Sequence, residues 1–236
     1  SKLESGQGAF VARPAPQPPI PFVDRQREAR LLRKLHPCGL TPRPLLGDAQ
    51  LLLLPWRAGE PLSPQAFHQR RDEVVTLLLR LHRQPPTGYR LQLLPLLLRY
   101  WQLCRQRHLG WQRALRRLAR AGEPAPQRLA PLHMDVHAGN LIADAEGLHL
   151  IDWEYAADGD VALELAALCA ADPERAESWL VAYAEAARLP PAALARQVAR
   201  WQPWLRLLMA SWYQLRAEQS DDAALRQLAR QSWQTI

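Results

Sequence analysis

The sequence has few cysteines, and their spacing does not suit a disulfide framework or a zinc site. Cys38, Cys104 and Cys169 lie far apart in the 236 residues, and no Cys-x-x-Cys motif occurs. Disulfide-rich domains and structural zinc sites usually carry closely spaced pairs of cysteines. We therefore expect three reduced, partly buried thiols.

Long apolar runs are also absent. No apolar segment approaches the roughly 18 to 20 residues that span a membrane, and the chain does not open with the charged and then apolar segments of a secretory signal. Hydrophobic residues make up 48% of the chain and charged residues 22%, as in ordinary globular proteins. We expect a globular cytoplasmic protein of one large domain or two small ones.

Lysine is scarce, although the net charge is +7. Lys2 and Lys34 are the only lysines, and the arginines are scattered along predicted helices among Asp and Glu. A nucleic-acid-binding protein would gather its basic residues in one patch. We favour a solvated, arginine-rich surface that also attracts an anionic nucleotide. The expected partners are a small-molecule substrate and a nucleotide, without nucleic acid or membrane, and the oligomeric state is open.

A polar segment enclosed by short apolar runs stands out at residues 132–154. The runs at 141–143 and 148–151 are separated by Asp-Ala-Glu-Gly, which predicts two strands joined by a four-residue turn. A hairpin returns the chain to its starting point. The residues that flank its two ends are therefore expected to lie side by side.

Those flanking residues have the side chains that phosphoryl transfer requires. Asn140 precedes the first strand, Asp152 follows the second, and Asp135 lies one loop upstream. An amide and a carboxylate oxygen suit Mg²⁺ on nucleotide phosphates, and a separate carboxylate can accept a hydroxyl proton. A zinc site of His133, Asp135 and His137 fits less well, because no further His or Cys lies at ligand spacing and Asn140 would have no role.

The pattern His133-x-Asp135-x-x-x-x-Asn140, followed by Ile151-Asp152-Trp153, resembles the catalytic loop and metal-binding Asp of the aminoglycoside and choline kinase superfamily. Further segments resemble those of bacterial thiamine kinases, namely 93–97, 100–101, 131–141, 151–156, 158–166 and 200–205. The resemblance implies a bilobal, protein-kinase-like α+β fold. It also implies phosphorylation of the hydroxyethyl group of thiamine, with ATP and Mg²⁺ as cofactors.

The same resemblance implies roles for the central residues. Asp135 would orient and deprotonate the acceptor hydroxyl, and His137 would face the transferring phosphate. Asn140 and Asp152 would hold Mg²⁺. His133 would support the loop through hydrogen bonds.

For the nucleotide, the resemblance implies that Arg13 occupies the position of the usual strand lysine, with Glu28 as its partner on a helix. Trp56 would flank the adenine. The glycine-rich loop that covers ATP phosphates in such kinases would precede residue 3. The N-terminal lobe, residues 1–58, is therefore expected to be partial.

The C-terminal lobe, residues 59–236, would hold the catalytic loop and the acceptor pocket. Cationic rings bind to aromatic faces near a carboxylate, and the predicted acceptor-binding residues are Glu154, Trp201, Trp204, Trp212 and Tyr213. Choline, an aminoglycoside or another small cationic alcohol is the alternative acceptor, and a weakly active or non-catalytic nucleotide- or thiamine-binding relative is the alternative function. Aminoglycosides need several carboxylates, and we find no acidic cluster beyond Glu154, Asp158 and Asp160.

The chain divides into the following predicted elements. We predict a hairpin at 3–13 with Gly6 and Gly8 at its turn, a helix at 24–35 capped by Asp24, and strands at 45–46 and 51–56. A hinge is expected at 55–59. Helices are predicted from Ser63-Pro64 to Pro85 as one unit, and at 93–107, 111–121, 160–170, 172–188, 191–218 and from 220 onward. In the C-terminal lobe we predict no strands except those of the central hairpin. We also predict that Asp160 caps a helix and that Glu164 supports the catalytic loop.

Overall fold

An antiparallel sheet of four strands opens the chain, of which the computed structural model describes residues 2–5 and 8–236. The strands are β1 (Lys2–Ser5), β2 (Gly8–Pro14), β3 (Leu46–Gly47) and β4 (Leu51–Pro55), in the order β1-β2-β4-β3. The pairing of β1 with β2 confirms the predicted first hairpin. Gly6, predicted for its turn, lies outside the described residues.

Helix α1 (Arg25–Leu35) packs against this sheet through buried alanine and leucine side chains. Asp24 accepts a hydrogen bond from the Arg27 backbone N–H at 2.9 Å, so the predicted N-cap is confirmed. At Gly47 a Cβ atom would lie 2.1 Å from that of Ala29. Only glycine allows the helix to approach β3 this closely.

The segment after the first sheet is attached to the central hairpin. Strand β5 (Glu60–Pro61) pairs with β7 (Leu141–Asp144), which in turn pairs with β8 (Gly147–Leu150). Gly59 has φ +135°, and a Cβ there would lie 2.3 Å from Ile142. The division into lobes at residues 58 and 59 stays a prediction.

The central hairpin is confirmed, but its predicted turn was too long. Asp144 pairs with Gly147, so the turn contains two residues, Ala145 and Glu146. Gly147 has φ +124°, which glycine tolerates at this position. Hydrophobicity alone predicted that the first strand ends at residue 143 and that the second begins at residue 148. The backbone hydrogen bonding continues one residue further at this end of the hairpin, to polar Asp144 and to Gly147.

Helices form most of the rest of the chain. They are α2 (Pro64–Gln69), α3 (Arg71–His82), α4 (Leu93–Leu103), α5 (Leu109–Ala121), α6 (Val161–Ala171), α7 (Ala176–Ala187), α8 (Pro191–Gln219) and α9 (Ala223–Trp233). The single helix predicted from Ser63-Pro64 onward is wrong. Arg70 interrupts it with φ −98° and ψ 22°, a local change that apolar spacing does not reveal. Pro203 lies within a continuous α8.

Three further strands of the helical lobe were missed. Strand β6 (Leu129–Leu132) pairs antiparallel with β9 (Ala157–Asp160), and β5 also lies outside the central hairpin. The prediction that only the central hairpin supplies strands in this lobe is therefore wrong. The pairing of Leu132 with Ala157 brings the start of the predicted catalytic loop close to the end of the segment that follows β8.

The core of the helical part is rich in large aromatic side chains. Trp111, Trp153, Trp179, Trp204 and Tyr183 are almost fully buried. All three cysteines are free, as expected. None of the helices in the described part of the chain combines the length and apolar character needed to cross a bilayer.

Candidate active site

The loop predicted to be catalytic, residues 133–140, is held by a buried carboxylate at its start. Glu164 on α6 accepts hydrogen bonds from the backbone N–H groups of His133 (2.8 Å) and Met134 (2.6 Å). Its second oxygen accepts a hydrogen bond from Nε2 of His82 at 2.7 Å. Burial opposes ionisation, but these hydrogen bonds, with His82 foremost, lower the pKa of Glu164 below its ordinary value. An ionised Glu164 therefore fixes the start of the loop, as predicted.

His133 provides a second support. Its Nε2–H donates to the Ile151 carbonyl at 2.8 Å, and its Nδ1 accepts from the Asp135 backbone N–H at 3.3 Å. Burial lowers the pKa of His133, in agreement with a neutral ring in this tautomer. Both ring nitrogens are occupied by the protein backbone. His133 therefore has no free ring nitrogen with which to bind zinc, as the alternative zinc site would require.

Asp135 and Asn140 are joined directly. The Asn140 side-chain N–H donates to the backbone oxygen of Asp135 and to its carboxylate, both at 2.9 Å. Burial raises the pKa of Asp135, against the opposing effects of His137, His133 and Asn140. The Asp135 side chain is still 39% exposed. Its carboxylate is thus held in place and remains accessible to a ligand.

His137 lies beside this carboxylate. Its Nε2 is 3.7 Å from Oδ1 of Asp135, and 47% of its side chain is exposed. Its Nδ1 accepts from the Gly139 backbone N–H at 3.1 Å, at the start of the short turn Ala138–Asn140. The ring can therefore present Nε2 to a ligand near Asp135.

The hairpin brings Asn140 and the segment around Asp152 together, as predicted. The Ile151 N–H donates to the Asn140 carbonyl at 3.0 Å. Asp152 itself has φ +62°, a left-handed conformation that is uncommon for residues other than glycine. Such conformations concentrate at functional sites, where the surrounding structure enforces them.

An ion-pair network connects the N-terminal sheet and α1 to this segment. Arg13 pairs with Asp152 and, at 2.8 Å, with Glu154; its Nε lies 3.7 Å from Glu28. Arg25 contacts Glu28 at 2.8 Å and Glu154 at 2.9 Å. Burial works against the Arg13 cation, but its three carboxylate neighbours raise its pKa above the ordinary value. Burial raises the pKa of Glu28 in spite of both arginines.

A cavity of about 550 Å³ opens next to Asp135 and His137. Its walls include five aromatic side chains, Phe22, Tyr100, Tyr155, Trp212 and Tyr213. Further apolar side chains of the wall come from α4, α6 and α8 and from loop residues such as Leu91, Met134 and Val136. Among the described lining residues Asp135 is the only carboxylate. The cavity therefore suits a flat, largely apolar or cationic molecule with a group that reaches Asp135.

Two of the predicted acceptor residues line this cavity. Trp212 and Tyr213 form an edge-to-face pair with ring centroids 5.1 Å apart, and the Trp212 N–H donates to the Tyr155 hydroxyl at 2.9 Å. Phe22, Tyr100 and Tyr155 were missed. Tyr155 could have been found, since it lies two residues after the Ile151-Asp152-Trp153 motif. Phe22 lies in a proline-rich loop without any comparable signal.

The other predicted acceptor residues lie elsewhere. Trp201 and Trp204 are only 3% and 2% exposed, and the Trp201 N–H donates to the buried Asp160 carboxylate at 2.8 Å. Their indoles belong to the core rather than to the cavity beside Asp135. Glu154 lies in the ion-pair network with Arg13 and Arg25, away from the cavity walls.

Trp56, predicted to flank adenine, is 40% exposed at the end of the first sheet. The ammonium of Lys2 lies 5.2 Å from the centroid of its ring. Its role toward a nucleotide stays a prediction.

Comparisons with known proteins agree with this geometry. A family model described as a phosphotransferase enzyme family matches residues 2–204. The thiamine kinase of Escherichia coli O157:H7 is 43% identical over 229 residues, which are 96% of this chain and 82% of that protein. The crystal structure of the choline kinase LicA from Streptococcus pneumoniae superposes with a TM-score of 0.77 at 18% identity, covering 100% of this chain and 89% of LicA. The crystal structure of LicA in complex with AMP superposes with a TM-score of 0.76 at 17% identity, covering 99% of this chain and 87% of that one. At these identities, the two structures establish a shared kinase-like fold.

Proposed function

Because the chain belongs to the phosphotransferase enzyme family, we propose that it is a kinase that transfers the γ-phosphate of ATP to the hydroxyethyl group of thiamine. The observation that carries the proposal is that Asp135 supplies the single carboxylate among the described residues that line the aromatic cavity. The 43% identity to a thiamine kinase over most of the chain supports the same acceptor. A cytoplasmic location, where ATP is available, is part of the proposal.

In the proposed reaction, Asp135 binds and orients the acceptor hydroxyl and accepts its proton. The hydroxyl oxygen forms a bond to the γ-phosphorus while the bond from that phosphorus to the bridging oxygen breaks, and ADP leaves. Asn140 holds the carboxylate through its amide N–H. The exposed Nε2 of His137 donates to an oxygen of the transferring phosphate and stabilises its charge.

The residues around Asp152 fit Mg²⁺. The Asn140 side-chain oxygen and the Asp152 carboxylate are oxygen ligands of the kind that Mg²⁺ prefers, and Mg²⁺ is usually held by one or two protein oxygens together with the substrate phosphates. When bound with the nucleotide, Mg²⁺ supplies charge neutralisation at the phosphate oxygens. Arg13 lies against Asp152, so its guanidinium is close enough to this segment to contact the same phosphates, with Glu28 as its partner.

We further propose that residues 1–58 form the nucleotide-binding lobe and residues 59–236 the lobe that binds the acceptor. Trp56, at the end of β4, would then flank the adenine. The network of Arg13, Arg25 and Glu154 joins the two lobes.

The cavity favours thiamine over the alternative acceptors. Flat cationic rings gain from packing on aromatic faces such as those of Trp212 and Tyr213. An aminoglycoside carries several ammonium groups, and Asp135 alone among the described lining residues could pair with them. Choline is a small cation that would leave much of a cavity of about 550 Å³ unfilled.

The test is an assay with ATP and Mg²⁺ in which thiamine, choline and kanamycin are compared side by side. Product masses identify any phosphorylated acceptor. We expect thiamine monophosphate from thiamine and little product from the others. Preferential phosphorylation of choline or kanamycin would contradict the proposed acceptor, and tight thiamine binding without product from any acceptor would favour a non-catalytic binding protein.

A further inference from the structure

Phe22 lies in the wall of the aromatic cavity in a backbone conformation that bulky residues seldom adopt. Its φ is +73°, in the left-handed region where a side chain larger than that of glycine is strained. Phe22 and its neighbour Pro21 belong to the loop between β2 and α1, and both are remote in sequence from the other lining residues, the first of which is Leu91. Because the conformation is costly, other contacts must hold it.

Arg27 supplies those contacts. Its guanidinium donates to the Phe22 carbonyl at 2.7 Å and lies 3.7 Å from the centroid of the Phe22 ring. Burial lowers the pKa of Arg27 to about 10, against the opposing effects of Asp24 and Glu28, so the group is still a cation at neutral pH. One side chain thus fixes both the backbone and the ring of Phe22.

The same guanidinium also holds the segment that follows Asp152. It donates to the Glu154 carbonyl at 2.8 Å and to the Ala156 carbonyl at 3.0 Å. Tyr155, between these two residues, lines the cavity. Arg27 therefore fixes the position of Phe22 relative to Tyr155, although 133 residues separate the two in the sequence.

We propose that Phe22 is a specificity-determining wall of the acceptor site and that Arg27 is the positioning residue that holds it there. The inference rests on the proposed function, since it takes thiamine as the acceptor. With one face of the Phe22 ring covered by the guanidinium, its remaining face or edge is available to a flat acceptor ring. Acceptor affinity should then depend on Arg27 through Phe22, whereas nucleotide affinity should not.

The test measures thiamine Kd by calorimetry without ATP, together with kcat and the KM values for thiamine and ATP. Phe22→Gly removes the ring while accepting the φ of +73° without strain. We expect Phe22→Gly and Arg27→Ala each to raise thiamine Kd by about tenfold and to change the KM for ATP by less than about twofold. Phe22→Tyr keeps the aromatic ring, so its thiamine Kd should stay within about twofold of the wild-type value. The matched control is Arg30→Ala, an exposed arginine on the same helix, and it should leave thiamine Kd unchanged.

The double variant Phe22→Gly/Arg27→Ala decides whether Arg27 acts through Phe22. If it does, the double variant binds thiamine no more weakly than Phe22→Gly alone. The inference would be overturned if the increases in thiamine Kd of the two single variants multiplied in the double variant. An unchanged thiamine Kd in Arg27→Ala would overturn it as well.

Arg27→Lys gives the same test if Arg27→Ala does not fold. Lysine keeps the charge and loses the planar set of donors, and it should raise thiamine Kd about threefold. An unchanged Kd in Arg27→Lys would then overturn the role of Arg27. Failure of the wild-type chain to bind or phosphorylate thiamine would overturn the proposed function as well. If the wild-type chain phosphorylated thiamine and the Phe22 and Arg27 variants kept its thiamine Kd, only the roles of Phe22 and Arg27 would be overturned, and the proposed function would stand.

Discussion

The guanidinium of Arg13 forms an ion pair with the carboxylate of Asp152, across 139 residues of sequence. Arg13 lies on β2 of the first sheet, and Asp152 follows the central hairpin. The pair therefore connects the strand proposed to contact ATP with the carboxylate proposed to bind Mg²⁺. It also neutralises a carboxylate that lies among other acidic groups, Glu28 and Glu154.

Arg13→Ala should lower the free energy of unfolding by about 2 kcal/mol. The substitution leaves Glu28 and Glu154 with Arg25 as an ion-pair partner, removes the Arg13 partner of Asp152, and leaves Glu28 almost fully buried. Denaturant unfolding measures the change. The matched control is Arg57→Ala, which removes a more exposed ion pair to Asp144 and should cost less than about 1 kcal/mol. Equal losses in both variants would contradict the structural importance of the Arg13 network.

Asp135→Asn should lower kcat by roughly 100- to 10,000-fold, the usual contribution of a positioned general base. The amide keeps the shape of the side chain and can still accept the hydrogen bond from Asn140, so the KM for ATP and the unfolding midpoint should change little. Steady-state kinetics with thiamine measure the effect. Asp144→Asn, at the tip of the same hairpin, is the control and should retain full turnover. A kcat near the wild-type value in Asp135→Asn would contradict the proposed mechanism.

The central site was predictable because its information is local. Two short apolar runs define a hairpin, and a hairpin places the residues at its two ends together whatever surrounds it. Asn140 and the segment of Asp152 meet for this reason. His133 was predictable as a support of the loop through the resemblance and its position two residues before Asp135, whereas Glu164 lies 31 residues further along the chain.

Strand β9 was not predictable from hydrophobicity, because its sequence is Ala-Asp-Gly-Asp. Its conformation depends on tertiary contacts instead. The buried carboxylate of Asp158 accepts hydrogen bonds from the backbone N–H groups of Thr87, Gly88 and Tyr89. No sequence period records such contacts across some 70 residues.

The acceptor residues on α8 show a further limit of periodicity. Trp201 and Trp212 are eleven residues apart, about three turns, so they share one helix face but lie roughly 16 Å apart along the axis. The spacing identifies the inward face of the helix. The spacing does not say at which height along that face the cavity lies. Of the acceptor residues predicted on α8, Trp212 and Tyr213 line the cavity, and Trp201 and Trp204 do not.

Glu164→Gln should lower the free energy of unfolding by about 2 kcal/mol at pH 7, since it replaces an ionised acceptor of several hydrogen bonds. The lowered pKa of Glu164 determines the pH dependence. A carboxyl with a depressed pKa in the folded state contributes its full stability above the unfolded pKa, near 4.3, and loses it as the pH falls through the folded pKa.

The difference between wild type and Glu164→Gln should therefore be constant from about pH 5 to pH 7 and shrink below about pH 4. Denaturant unfolding at a series of pH values measures it. Glu177→Gln, an exposed position on α7, should be nearly neutral throughout. A difference that grew toward low pH would show that the ionised form of Glu164 does not stabilise the fold.

A pair of tryptophan variants on α8 should separate the cavity from the core. Trp212→Leu should raise the KM for thiamine about tenfold, because it removes an aromatic wall and the hydrogen bond to Tyr155. Trp201→Phe should leave that KM unchanged and lower the free energy of unfolding by about 1 to 3 kcal/mol, because it removes an N–H donor from the buried Asp160 carboxylate. Kinetics and denaturant unfolding on both proteins provide the two readouts. If Trp201→Phe raised the KM for thiamine as strongly as Trp212→Leu, the acceptor would extend toward the core side of α8, and the cavity beside Asp135 would not account for its binding.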